Sequence, residues 1–190
     1  MLSILVQRAS ITEDVIRECH RTLMDDGVHT DMPIGEYRNY PISARNGTKK
    51  PTRFVHHSAV PAYMSRFVLD LSNDIDADRK DRLIEPFTLA ARYCSTFVNI
   101  HPFGDGNGRL CRIIMNAILF KIVSIWVPIG EEGETRAEYL GITARASRVF
   151  YEEDGEVERD AETSHLELAK LVLGKSRQVL ETMCKSMEDR

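Results

Sequence analysis

Apolar residues along this chain recur mainly with the period of an α-helix. Three stretches read as capping boxes that open helices: Ser10-Ile11-Thr12-Glu13, Thr135-Arg136-Ala137-Glu138 and Ser164-His165-Leu166-Glu167, each followed by helically spaced apolar residues. Ile84, Phe87, Ala91, Cys94 and Val98 trace one face of a further helix, which delivers the chain to His101. From Leu110 to Val127 the sequence is apolar nearly all round, the signature of a buried central helix. A run of that length invites a transmembrane reading, but Arg112, Asn116 and Lys121 interrupt it and a glycine-rich loop precedes it, so the core-helix reading is preferred.

Between the helices the pattern changes. Residues 39 to 58 carry Pro, Gly, Asn and Lys around short β-prone runs, which predicts a hairpin with a basic tip at Lys49-Lys50. Glu152 to Glu162 is mostly acidic with Gly155 and reads as a solvated loop. The prediction is an all-α chain with one short hairpin.

Composition narrows this further. At 190 residues and 43% hydrophobic, the chain is long enough for one sizeable core and short for two, so a single domain over 1–190 is expected. A net charge of −4 provides no basic footprint and argues against nucleic acid as a partner. Cys19, Cys94, Cys111 and Cys184 are scattered without metal-ligand spacing and read as free thiols of a reducing compartment. No basic-then-apolar signal pattern opens the sequence, so the expected location is cytoplasmic, with the nucleus as the alternative, and no membrane partner is expected.

The densest chemistry lies in His101-Pro102-Phe103-Gly104-Asp105-Gly106-Asn107-Gly108-Arg109, followed by Arg112. Gly104, Gly106 and Gly108 alternate with Asp105 and Asn107, which lets the backbone form a concave loop whose N–H groups converge on an anion. A helix opening directly beneath adds its unpaired N–H groups and dipole. His101 is the candidate base, and Asp105 offers a hard oxygen for Mg²⁺, which takes only one or two protein carboxylates and fills its shell with phosphate and water. Arg109 and Arg112, three apart, share a helix face from which both can fork onto a polyphosphate, and the Asn107 amide can orient a phosphate oxygen.

Blander readings compete. A lone histidine is more often structural, but His101 abuts a glycine nest. A surface salt bridge would also explain Arg112. His56 and His57 read as solvent-facing hairpin residues; His20, His29 and His165 lack ligand spacing and read as structural. Gly174-Lys175-Ser176 has the ending of a P-loop, but position 169 is Ala and the stretch follows a helical pattern.

Position for position, the segment from His101 to Arg112 resembles the signature of the Fic (Fido) family, His-Pro-Phe-x-Asp/Glu-Gly-Asn-Gly-Arg-x-x-Arg. The resemblance implies a Fic-type helical bundle with a β-hairpin flap beside the active-site loop. The implied activity is Mg-dependent transfer of AMP from ATP to a Ser, Thr or Tyr hydroxyl of a target protein, with release of pyrophosphate. His101 would then deprotonate the hydroxyl and Asp105 would hold Mg²⁺. Gly104, Gly106, Asn107 and Gly108 would seat the α- and β-phosphates, Arg109 and Arg112 would take the β- and γ-phosphates, and Phe103 would anchor the loop. Gly106 and Gly108 favour the AMP-transfer form over a kinase-like branch with Lys-Arg in place of the last Gly-Arg, and over phosphocholine-transferring members with Ala at the first of these positions. AMP removal, or transfer of another phosphate-containing group, remains the enzymatic alternative. A nucleotide-binding signalling module is the alternative of another class, disfavoured because binding alone needs no base.

The likeness extends outward. Gly35-Glu36-Tyr37-Arg38 resembles the family's Gly-x-Tyr-Arg turn, and Val60-Pro61-Ala62-Tyr63-Met64 the start of the helix after the flap. Thr52 to His57 would be the flap strand, with Phe54, Val55 and His56 docking the target by strand addition. Tyr139 would close the nucleobase pocket. The family's inhibitory Ser/Thr-x-x-x-Glu-Gly/Asn segment has no match: Thr22 to Gly27 comes nearest with Asp26 in place of the glutamate, and Thr163 to Glu167 is followed by Leu168. The chain is therefore expected to be unrestrained, or restrained by a separate inhibitory protein; a homodimer is also open.

Overall fold

The computed structural model describes residues 10–25, 33–44, 52–81, 85–130, 134–153 and 165–188. Among them are six α-helices and one two-stranded ladder, an all-α architecture with a minor hairpin. Helix α1, Glu13–Met24, starts where the Thr12 hydroxyl accepts the Val15 N–H at 3.3 Å. The cap is thus Thr12, two residues beyond the expected Ser10. Val15, Ile16, Cys19, His20 and Met24 form its buried face.

Strands β1, Ser43–Ala44, and β2, Thr52–Arg53, pair antiparallel with Ser43 opposite Arg53 and Ala44 opposite Thr52. The ladder is shorter than the expected strand, because residues 54 to 56 run unpaired and His57–Ala59 turn as a 3₁₀ helix straight into α2, Val60–Asp81. The expected tip at Lys49-Lys50 lies outside the described residues.

Helix α3, Pro86–Ile100, follows a cap that standard preferences do not flag: the Glu85 carboxylate accepts the N–H groups of Phe87 and Thr88 at 3.1 and 2.6 Å, with proline at the first helical position. Ile84 lies outside the described residues. Helix α3 is the hub, packed on α2, on α4 (Asn107–Val123), on α5 (Glu134–Glu153) and on α6 (Leu166–Glu188). Its surroundings explain why Leu89, Ala90, Tyr93, Phe97 and Ile100 are buried beyond the single stripe that periodicity shows.

The central helix ends four residues before its apolar run does. Ser124 adopts a left-handed conformation with φ 56°, its N–H on the Phe120 carbonyl, and the chain turns away. Val127 is buried nonetheless, strapped down by Asn116, whose Oδ1 accepts the Val127 N–H at 2.7 Å while its Nδ2 donates to the Val127 carbonyl at 3.1 Å. Thr135 and Arg136 lie inside α5, which begins at Glu134, so no box opens it there. Ser164 and the acidic stretch from 154 onward lie outside the described residues; α6 starts at Leu166, with the Ala169 N–H on the His165 carbonyl. Gly174-Lys175-Ser176 is plain helix, with Ser176 hydrogen-bonded to the Leu173 carbonyl. None of the four cysteines is in a disulfide. Among the described residues no helix is long and apolar enough to cross a membrane.

Candidate active site

His101 stands where α3 ends, in a left-handed conformation with φ 52° that turns the chain into the motif loop. Its Nδ1 lies 3.0 Å from the Val98 carbonyl, which can only accept, so the proton sits on Nδ1 and Nε2 keeps its lone pair. Burial, with the nearby Arg38 guanidinium adding to it, pushes the imidazole down to about 4 against the hydrogen bond to Val98. A neutral base with a fixed tautomer results.

The loop that follows bends through Phe103, Gly104 and Asp105 and enters α4 at Gly106, whose φ of 78° is a left-handed conformation. A Cβ there would also meet Met24 Sδ at 3.0 Å, so alanine is strained at this site. No side chain caps α4. Within its first turn the Arg109 and Leu110 N–H groups bond the Gly106 carbonyl, which leaves those of Asn107 and Gly108; the half-exposed Asp105 and Arg109 side chains pair at 3.2 Å, and a Cβ on Gly108 would meet nothing within 4 Å. Uncapped N–H groups beside a guanidinium and a carboxylate suit an anion with its cation. Asp105 supplies the hard oxygen that Mg²⁺ prefers, and among the described residues no cluster of three or more potential ligands offers an all-protein cage.

Asn107 departs from expectation. Its Oδ1 accepts the Phe103 N–H at 3.0 Å and its Nδ2 donates to the Phe103 carbonyl at 2.8 Å, with the residue 1% exposed. The amide closes the loop on itself rather than facing a phosphate.

Tyr139 is likewise displaced from its expected role. It is 3% exposed, and its hydroxyl lies among the thiols of Cys111 and Cys94, at 3.5 and 3.9 Å. It faces the core rather than a nucleobase pocket. Its ring carries Arg112, whose guanidinium carbon lies 5.5 Å from the ring centroid. On the other side Gly130, at φ 72°, leaves room that a Cβ would take, 3.2 Å from Arg112 Cδ. No ion pair to Arg112 is present among the described residues, so its seat is an aromatic face and a glycine.

The three flap residues divide. The Phe54 ring stacks on His101 with centroids 3.8 Å apart. Val55 is buried and its carbonyl accepts from Arg38, so it anchors the flap instead of docking a target. His56 is exposed but caps the 3₁₀ turn, its Nδ1 near the Ser58 N–H and hydroxyl at 3.4 and 2.8 Å. A groove of about 460 Å³ lies beside Phe54, walled by Pro41, Ile42 and His56.

Two supports behind the loop escape the motif. Arg38, 4% exposed, donates to the His101 carbonyl at 2.7 Å, to Ile100 at 3.3 Å, to Tyr40 at 3.0 Å and to Val55, clamping the end of α3 to the flap. His20, expected only as a structural residue, stacks on Phe103 and bonds Asp105. The sole signals were a polar side chain on the apolar face of α1 and the Gly-x-Tyr-Arg turn. Helix α1 ends with Met24 against Arg109, at 3.3 Å from its sulfur, not against Arg112; Asp26 and Thr163 lie outside the described residues.

Comparison with known proteins agrees with this geometry. Residues 10–119 match the model of the Fic/DOC family. The chain is 30% identical over 129 residues to a Fido domain-containing protein of Dictyostelium discoideum, covering 67% of this chain and 82% of that protein. It is 32% identical over 120 residues to the protein adenylyltransferase Fic of Nematostella vectensis, covering 63% of this chain but only 25% of that protein. Its fold superposes on Fic-1 from C. elegans with a TM-score of 0.70 at 23% identity, over 95% of this chain and 45% of that one. With the family match spanning more than half of its length and the signature loop at the mouth of α4, the chain belongs to the Fic/DOC family.

Proposed function

We propose that this chain transfers AMP from ATP to a hydroxyl side chain of a target protein. The observation that carries the reading is the neutral His101, its Nε2 free, beside an uncapped helix N-terminus flanked by Asp105 and Arg109. His101 Nε2 takes the proton of the attacking hydroxyl, the oxygen bonds to the α-phosphorus, and the bridging P–O bond to the β-phosphate breaks, so pyrophosphate leaves with the electron pair. Backbone N–H groups of the first turn of α4 hold phosphate oxygens, and Arg109 and Arg112 balance charge on the leaving group. Asp105 would hold Mg²⁺, which when bound supplies charge neutralisation on the phosphates. Phe54 and the adjoining groove would receive the target segment. Names of relatives such as the Nematostella adenylyltransferase support AMP transfer at the level of the family.

Mass spectrometry of proteins incubated with the chain, ATP and Mg²⁺ tests this. Ser, Thr or Tyr carrying AMP, with none when chelator is in excess, is expected. Modification by phosphate alone contradicts it.

A further inference from the structure

We infer that His20 is a positioning residue that aims the phosphate loop, an inference that rests on reading the loop as the Mg-ATP site. His20 stands on α1, 85 residues from Asp105 in sequence, and is 2% exposed. Each ring nitrogen meets a backbone group of fixed role. The Gly35 N–H, which can only donate, lies 2.8 Å from Nδ1. The Asp105 carbonyl, which can only accept, lies 3.1 Å from Nε2. The ring is therefore neutral and protonated on Nε2, since a proton on Nδ1 would set donor against donor at Gly35.

Its face is used as well. The imidazole lies flat on Phe103, centroids 3.8 Å apart and planes 9° from parallel, and a Cβ on Gly106 would approach Nε2 to 3.4 Å. The ring thus touches Phe103 and the Asp105 carbonyl and borders the space over Gly106.

The consequence follows from peptide geometry. In a trans peptide the C=O and the next N–H point in opposite directions, and no cis bond occurs among the described residues. Pinning the Asp105 carbonyl onto His20 therefore turns the Gly106 N–H away from His20. Gly106, without a Cβ, is the residue at which this peptide could most easily flip. His20 keeps the N–H aimed at the anion.

Three proteins test the inference: the parent, His20→Phe, which keeps a flat ring on Phe103 but loses both hydrogen bonds, and His20→Gln, which keeps a donor and an acceptor. Calorimetric Kd for Mg-ATP, KM and kcat of AMP transfer, and Tm are measured for each. His20→Phe is expected to raise Kd and KM about tenfold, the cost of two orphaned backbone groups, with a smaller change in kcat because His101 is held separately. His20→Gln recovers most of the affinity. If His20→Phe does not fold, His20→Met takes its place. Parent-like affinity in the ring variant, or a loss that glutamine does not relieve and that follows Tm, overturns the inference. A parent that binds no Mg-ATP instead overturns the reading of the loop itself.

Discussion

The ring of Phe54 lies on the ring of His101, centroids 3.8 Å apart and planes 18° from parallel. The flap thus covers one face of the imidazole, while Val98 occupies Nδ1. Only the Nε2 edge remains for a hydroxyl. Arg38 ties the two partners, reaching the His101 carbonyl and the Val55 carbonyl with one guanidinium. Flap and base are therefore held in register by a side chain that touches neither reacting atom.

This arrangement separates two substitutions. His101→Ala should lower AMP transfer by about 10²-fold or more with Mg-ATP affinity nearly unchanged. Phe54→Ala removes an aromatic contact that contributes about 0.5–1.5 kcal/mol, so kcat/KM for the target should fall no more than about tenfold. Equal losses in the two variants would show that the stack, rather than the base, carries the chemistry.

The buried histidines set a pH dependence. Burial pushes both His101 and His165 down to about 4, with Arg92 adding to it at His165, and burial also lowers His20 below its ordinary 6.5. Between about pH 6.5 and 4 the unfolded chain binds protons at His101 and His165 and the folded chain does not, so stability rises with pH across that window. It is fully present above about 6.5 and is lost as pH falls toward 4. Thermal melts should show a level Tm from about pH 7 to 8 and a decline below 6.5; a Tm level down to pH 4 would contradict the assigned burial.

Asn107→Ala leaves the Phe103 N–H and carbonyl without their side-chain partner in a buried loop. An unfolding free energy lower by about 1–3 kcal/mol is expected, together with loss of transfer. Denaturant titration reads the first, and a change below the error of that titration would argue that the clamp is not formed in solution.

Gly130→Ala is expected to act on Arg112 from outside the motif. The substitution strains a φ of 72° and brings a Cβ to within 3.2 Å of Arg112 Cδ, displacing the guanidinium from Tyr139. KM for ATP should rise while the His101 pH limb stays put. An unchanged KM would separate Arg112 from the nucleotide.

What was legible in the sequence was local. The glycine spacing from 104 to 108 and the apolar run after it located both the loop and the helix beneath it. Direction was not legible: spacing brings the Asn107 amide to the loop but does not say that it folds back on Phe103. Nor could Tyr139 be read as core, since the Cys94 and Cys111 thiols that receive it sit on two other helices. Ser124 ends α4 inside a mainly apolar run because the strap at Val127 is set by Asn116, eleven residues earlier. His20 and Arg38 were hidden for the same reason, as their partners lie in sequence-distant backbone.

We propose that His101 drives AMP, not phosphate, onto protein. The purified chain, without any activating substitution, is incubated with Mg²⁺ and ATP labelled at either the α- or the γ-phosphate, beside His101→Ala. Protein-bound label is expected from α-labelled ATP only, and it is expected to be lost in the variant. Label from γ-labelled ATP, or α-label undiminished in His101→Ala, would contradict it.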